Sequence, residues 1–198
     1  MKHSPRTTAR VTGSIALAAV LALGASACSS NDSAAKDSSS SVKPDAKKAA
    51  AAVDAGLKAH SAGDLTTASA DYNKALAYDA TNKFAFYNLA LIDASNGNYG
   101  LAETKYRAAI KSDPKYEPAL FNLAILRTTP SPTEAISLYQ RAVASNKKDA
   151  AAWLNLGLLQ RSRGQVKPGD IAVLRAIALN PKLKDPAGPV KGKTTTKP

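Results

Sequence analysis

Phe86-Tyr87-Asn88-Leu89-Ala90-Leu91 sets one carboxamide in the middle of an otherwise apolar run. The same arrangement returns as Leu120-Phe121-Asn122-Leu123-Ala124-Ile125 and as Trp153-Leu154-Asn155-Leu156-Gly157-Leu158. The asparagines stand 34 and then 33 residues apart. A fixed period of this size marks a chain built from one supersecondary unit stacked on copies of itself.

Aligning the chain on these asparagines divides residues 49–183 into four copies: 49–82, 83–116, 117–149 and 150–183. Glycines recur in mid-copy as Gly63, Gly97 and Gly164, where a tight turn needs a backbone that tolerates positive φ. Small residues follow at Ala68, Ala102 and Ala135, which let two helices approach closely. Tyr72, Tyr106 and Tyr139 come next, then Ala75, Ala109, Ala142 and Ala176, and Pro114 and Pro181 close two of the copies. The third copy lacks the glycine and one residue, and carries Ser131-Pro132-Thr133-Glu134 instead. That string reads as a helix start with serine at the N-cap, proline at N1 and a capping-box glutamate at N3. In the fourth copy Pro168 and Gly169 stand where the second helix opens, so that helix is expected to start late, near Asp170.

The opening Trp153-x-x-Leu156-Gly157, its variants Phe86-x-x-Leu89-Ala90 and Leu120-x-x-Leu123-Ala124, and the positions above resemble the tetratricopeptide repeat. The resemblance implies an all-α helix-turn-helix solenoid of about four repeats. It also implies a concave groove lined by the first helix of each pair, in which similar proteins hold an extended peptide. Asn88, Asn122 and Asn155 would form an amide ladder in that groove, each offering a donor and an acceptor to a peptide backbone. Tyr87, Phe121 and Leu154 precede the amides, and Leu91, Ile125 and Leu158 lie three residues beyond; these are the candidate apolar walls. The carboxylate clamp of chaperone-binding repeats does not carry over, because Val53, Leu57, Pro118 and Asn122 occupy clamp positions and only Asn88 agrees. After Pro181 no capping helix follows, so the last helix, with Ile171, Val173, Leu174, Ile177 and Leu179, is expected to leave an apolar face for a partner or a second copy.

The ends of the chain differ in character. Lys2, Arg6 and Arg10 precede an apolar stretch from Val11 to Leu23, followed by Gly24-Ala25-Ser26-Ala27-Cys28. Thirteen residues fall well short of the roughly 20 that span a bilayer, and the order basic, apolar, small is that of a secretory signal. With the chain's single cysteine after Ser26-Ala27, residues 1–27 resemble a bacterial lipoprotein signal peptide, which implies lipid attachment at Cys28. Cleavage after Ala25-Ser26-Ala27 without lipid is the alternative. Residues 28–48 have almost nothing apolar beyond alanine and read as a flexible tether of about 25 Å average span. Residues 184–198 read as a basic, disordered tail. Lipid attachment would place the protein on the extracytoplasmic face of a cell membrane, anchored without a span.

The formal charge of +12 is uneven along the chain, a mildly basic body with a basic tail, and is not gathered with aromatics on one face, so a nucleic-acid partner is not expected. One cysteine and two histidines exclude an intrachain disulfide and a zinc site of ordinary spacing. No nucleophile motif or phosphate loop is present, so neither catalysis nor a cofactor is expected. Function therefore reads as a membrane-anchored adaptor that binds a protein segment, with a role in envelope or secretion complex assembly. The alternatives are binding of anionic envelope polymers or lipid headgroups through Arg161, Arg163, Lys167, Arg175 and the lysine tail, and homodimerisation through the last helix.

Overall fold

The computed structural model describes residues 44–188. The signal-like segment, Cys28, the tether as far as residue 43 and the tail from residue 189 lie outside the described residues. Eight helices follow in order: α1 Ala46–Ser61, α2 Leu65–Tyr78, α3 Lys83–Ser95, α4 Tyr99–Ser112, α5 Glu117–Arg127, α6 Pro132–Ser145, α7 Ala150–Ser162 and α8 Val166–Leu179. They pack in chain order, pair after pair, which is the expected helix-turn-helix solenoid. Among the described residues there is no strand, and no helix is long and apolar enough to cross a membrane.

The repeating residues do the same work in each copy. Ala68, Ala102 and Ala135 are fully buried where paired helices cross, and so are Ala75, Ala109, Ala142 and Ala176. Tyr72, Tyr106 and Tyr139 fill the space beside them. Gly63, Gly97 and Gly164 turn the chain between paired helices with φ of 81°, 78° and 78°, a region where a Cβ would be strained. The third copy turns without glycine. There Ser131 N–H donates to Arg127 O at 2.9 Å, and the Thr128 hydroxyl donates to Ala124 O at 2.9 Å.

Four details depart from expectation. Helix α1 begins at Ala46, three residues before the boundary drawn at 49, because the Asp45 carboxylate caps it by accepting from Lys48 N–H at 2.9 Å. Asp45 N–H also donates to Tyr78 O at 2.9 Å, tying the entry of α1 to the exit of α2. Helix α8 begins at Val166 and not near Asp170. Pro168 falls in its first turn, where backbone N–H groups have no partner inside the helix and a missing one costs little.

The third concerns Ser131-x-x-Glu134. Ser131 is the N-cap of α6 but makes no side-chain capping bond. Glu134 instead joins a closed ring of ion pairs: to Arg127 at 2.7 Å and Arg107 at 2.6 Å, both of which also bind Glu103, at 3.1 and 2.8 Å. The ring ties α4, α5 and α6 together. Finally, residues 185–188, assigned to the tail, are anchored. The Asp185 side chain is 5% exposed and accepts from Arg161 at 2.7 Å, while Arg161 also donates to Asp170 at 2.7 Å.

Candidate functional site

The first helices α1, α3, α5 and α7 present matching rows of side chains. One row is Leu57, Leu91, Ile125 and Leu158, the ninth residue of each copy. Leu57 and Ile125 are 45% and 46% exposed, and Leu91 and Leu158 are half-buried. Leu57 belongs to the row although sequence reading left it out of the site; its 34-residue offset from Leu91 was the available signal. The row above it, Tyr87, Phe121 and Leu154, is half-buried and partly claimed by the core. Tyr87 meets Tyr116 edge-on at 5.5 Å and tilts against Tyr106 at 5.9 Å, and Phe121 meets Tyr139 at 5.9 Å.

The amides do not form three equivalent rungs. Asn88 is buried, at 8% exposure, and its Nδ2 donates to Phe84 O, one turn back in its own helix, at 2.8 Å. Asn122 does the same toward Pro118 O at 2.9 Å, and also donates to the Tyr87 hydroxyl at 3.3 Å. Back-bonding to the carbonyl four residues earlier is a common resting state for a short polar side chain in a helix. It engages the donor that a peptide ligand would need. Asn155 differs. Like Asn122 it is half-buried, but it lies in hydrogen-bonding reach of the Tyr139 hydroxyl and lines a cavity.

That cavity, about 550 Å³, opens between α5 and α7 over α6. Three of the nine proposed contact residues, Ile125, Asn155 and Leu158, meet in it. Thr128, Thr129 and Ser162 supply hydroxyls, Tyr139 its phenol and Leu159 a second aliphatic wall. The hydroxyls were missed by sequence reading, although they sit three and four residues beyond Ile125 and four beyond Leu158, one helical turn further along the same face. None of the lining side chains carries a charge near neutral pH. Burial, opposed by hydrogen bonding with Thr128 and Asn155, raises the Tyr139 phenol above its ordinary value, so it stays a neutral donor and acceptor. Thr128 and Ser162 donate their hydroxyl protons to carbonyls of α5 and α7 and so can accept from peptide N–H. Thr129 and Asn155 can meet peptide C=O groups, and an uncharged side chain fits against Ile125 and Leu158.

Near the other ends of α5 and α7 sit two carboxyls. Burial first, and then the hydrogen bond and charge of Asp149, push Glu117 up to about 7. Asp149 caps α7 by accepting from Ala151 and Ala152 N–H at 2.8 and 3.1 Å. His60 lies in the last turn of α1, on a different copy from the cavity. Among the described residues no three His, Cys, Asp or Glu side chains gather in a way that could hold a metal.

A family model described as the tetratricopeptide repeat matches residues 53–117 and 131–182. No curated protein matches the chain in overall sequence. Among solved structures, MamA protein is 25% identical, with 68% of this chain and 74% of that one covered at a TM-score of 0.59. YrrB, described as a TPR protein with an unusual peptide-binding site, is 21% identical, with 69% and 70% covered at 0.61. PilF of Pseudomonas aeruginosa is 22% identical, with 69% and 63% covered at 0.60.

Proposed function

Because the chain belongs to the tetratricopeptide-repeat family, whose fold suits protein and peptide partners, we propose that it is a non-enzymatic adaptor that captures an extended protein segment along its first helices. The observation that carries this reading is the uncharged cavity between α5 and α7, where Ile125 and Leu158 face hydroxyls and Asn155, an amide not turned back onto its own helix. An extended peptide has unpaired backbone groups on both edges and side chains alternating in direction, so a trough of mixed polar and aliphatic lining serves it well. Leu57 and Leu91 continue the aliphatic row toward the first repeat. In this reading Asn88 and Asn122 hold their own helices, Asn122 also positions Tyr87, and neither takes a direct part in capture.

The same reading places the protein on the outer face of a bacterial membrane, held by lipid on Cys28, and assigns it to assembly of an envelope or secretion complex. The basic-apolar-small order before Cys28 supports that location. Selection from a displayed library of random peptides tests the binding role. Ile125→Glu and Leu158→Glu should abolish capture of the selected peptides, because either puts an unpaired charge in the cavity. Tyr99→Glu, at a 60% exposed position on α4, should leave capture intact. Equal capture by all three would remove the cavity from the account.

A further inference from the structure

The charge of the described chain is concentrated at one end. Residues 44–144 carry eleven basic and ten acidic side chains, whereas residues 145–188 carry eight basic and three acidic. Two of those three acids are already matched: Asp170 and Asp185 both bind Arg161. Among the described residues Arg163, Lys167, Arg175, Lys182 and Lys184 are exposed and pair with no carboxylate.

Helix α8 arranges part of this charge on one face. Ala172, Val173 and Ala176 are buried against the preceding helices. The outward stripe reads Lys167, Ile171 and Arg175, four residues apart each time, with Ala178 completing it. Ile171 is 68% exposed, more than any other large apolar side chain among the described residues, and a cation lies one turn to either side of it. The apolar face expected on this helix is thus mostly gone: Val173 is fully buried, and Leu174, Ile177 and Leu179 are half-buried. What is left outside is one isoleucine set among cations.

We infer that the outward face of α8, with the lysines that follow it, is a docking surface for an anionic lipid bilayer. Cations near such a surface are drawn in by its negative potential, each strengthening binding about fivefold. Cations alone would suit a soluble polyanion equally well. The exposed Ile171 between Lys167 and Arg175 favours the bilayer, because a surface-lying helix gains further by placing an apolar side chain at the headgroup–acyl boundary. Docking of this kind needs no acyl chain on Cys28 and leaves the cavity between α5 and α7 free.

The test uses the full chain carrying Cys28→Ser, so that no lipid can attach, sedimented with vesicles of neutral phosphatidylcholine or of phosphatidylcholine with roughly one-third phosphatidylglycerol. Every variant carries the same residues 1–27, so the change in the affinity ratio between variants cancels whatever that segment contributes. Binding should strongly favour the anionic vesicles and weaken as salt rises toward a Debye length of about 8 Å. Lys167→Ala with Arg175→Ala should lower anionic binding about 25-fold and leave neutral binding unchanged. Ile171→Ser should lower it a further several-fold, up to about tenfold. All three positions are exposed, so the fold should be kept, which circular dichroism checks. No preference for anionic vesicles, or a double variant that binds like the parent, would overturn the inference. So would an Ile171→Ser protein that binds vesicles like the parent while heparin competes fully, since that result assigns the surface to a soluble polyanion.

Discussion

Gly157 sits mid-helix in α7, where replacement by alanine would ordinarily stabilise a helix by about 1 kcal/mol. The packing argues the opposite. A Cβ on Gly157 would lie 2.7 Å from the carbonyl oxygen of Gly169, 2.7 Å from Val173 Cγ2 and 2.8 Å from the Val173 backbone nitrogen. A Cβ on Gly169 would in turn meet Gly157 O at 2.7 Å and the Arg161 backbone nitrogen at 3.0 Å. Two of the three obstacles to Gly157→Ala are backbone atoms of α8, which cannot rotate away, so the helices must separate by several tenths of an ångström. Overpacking of this kind costs about 1–3 kcal/mol, and the absence of a yielding side chain puts this case in the upper half. After the propensity gain, a net loss of about 1–2 kcal/mol is expected, a fall in Tm of about 3–6 °C for a domain of this size. Gly100→Ala is the control. It lies in the first turn of α4, where a Cβ would meet nothing within 4 Å, and it should raise Tm slightly. Thermal and urea melts followed by circular dichroism measure both. A Gly157→Ala protein as stable as the parent, alongside a stabilised Gly100→Ala, would refute the claim that α7 and α8 touch backbone to backbone.

Other outcomes follow from the buried polar groups. Glu117 holds its proton up to about pH 7 in the fold but would release it near its ordinary value of 4.5 when unfolded. The folded state therefore binds more protons between these values, and stability should fall as pH rises from 4.5 to 7, by about 1 kcal/mol after allowance for solvent screening. Glu117→Gln should flatten that slope in urea melts run at several pH values; an unchanged slope would clear Glu117 of it. Arg161→Ala strands the Asp185 carboxylate and should cost about 2 kcal/mol, more than Asp170→Asn, with a similar cost for both counting against the anchor. The buried Tyr72 hydroxyl has no partner, so Tyr72→Phe should be neutral or slightly stabilising. Tyr139→Phe, which loses bonding with Thr128 and Asn155, should cost about 1 kcal/mol in the same melts.

The repeat could be read from sequence because its constraints are steric and recur. A crossing point that admits only Ala or Gly, a tyrosine beside it and a turn glycine at positive φ impose the same residue types every 34 positions. Side-chain partnership is another matter. Asn88 and Asn122 occupy the register of Asn155, yet they turn back to Phe84 O and Pro118 O, a competition within one helix that position alone does not resolve. Glu134 stands where a capping box would place it, but Arg107 and Arg127 offer a stronger bond than the N-cap backbone. Arg161 finds Asp185 across 24 residues, a pairing that no local pattern announces. The cavity hydroxyls of Thr128 and Thr129 also escaped notice, because the turn that brings them there is the one lacking the glycine that marks the others.

Backbone and methyl chemical-shift mapping of isotope-labelled protein with a selected peptide addresses capture along the first helices most directly. Shifts should concentrate at Ile125, Thr128, Thr129, Asn155, Leu158 and Ser162, and be lost in the Leu158→Glu protein. Shifts gathered on the outward face of α8, or around Tyr99 and Leu101, with the cavity residues unmoved, would contradict the account.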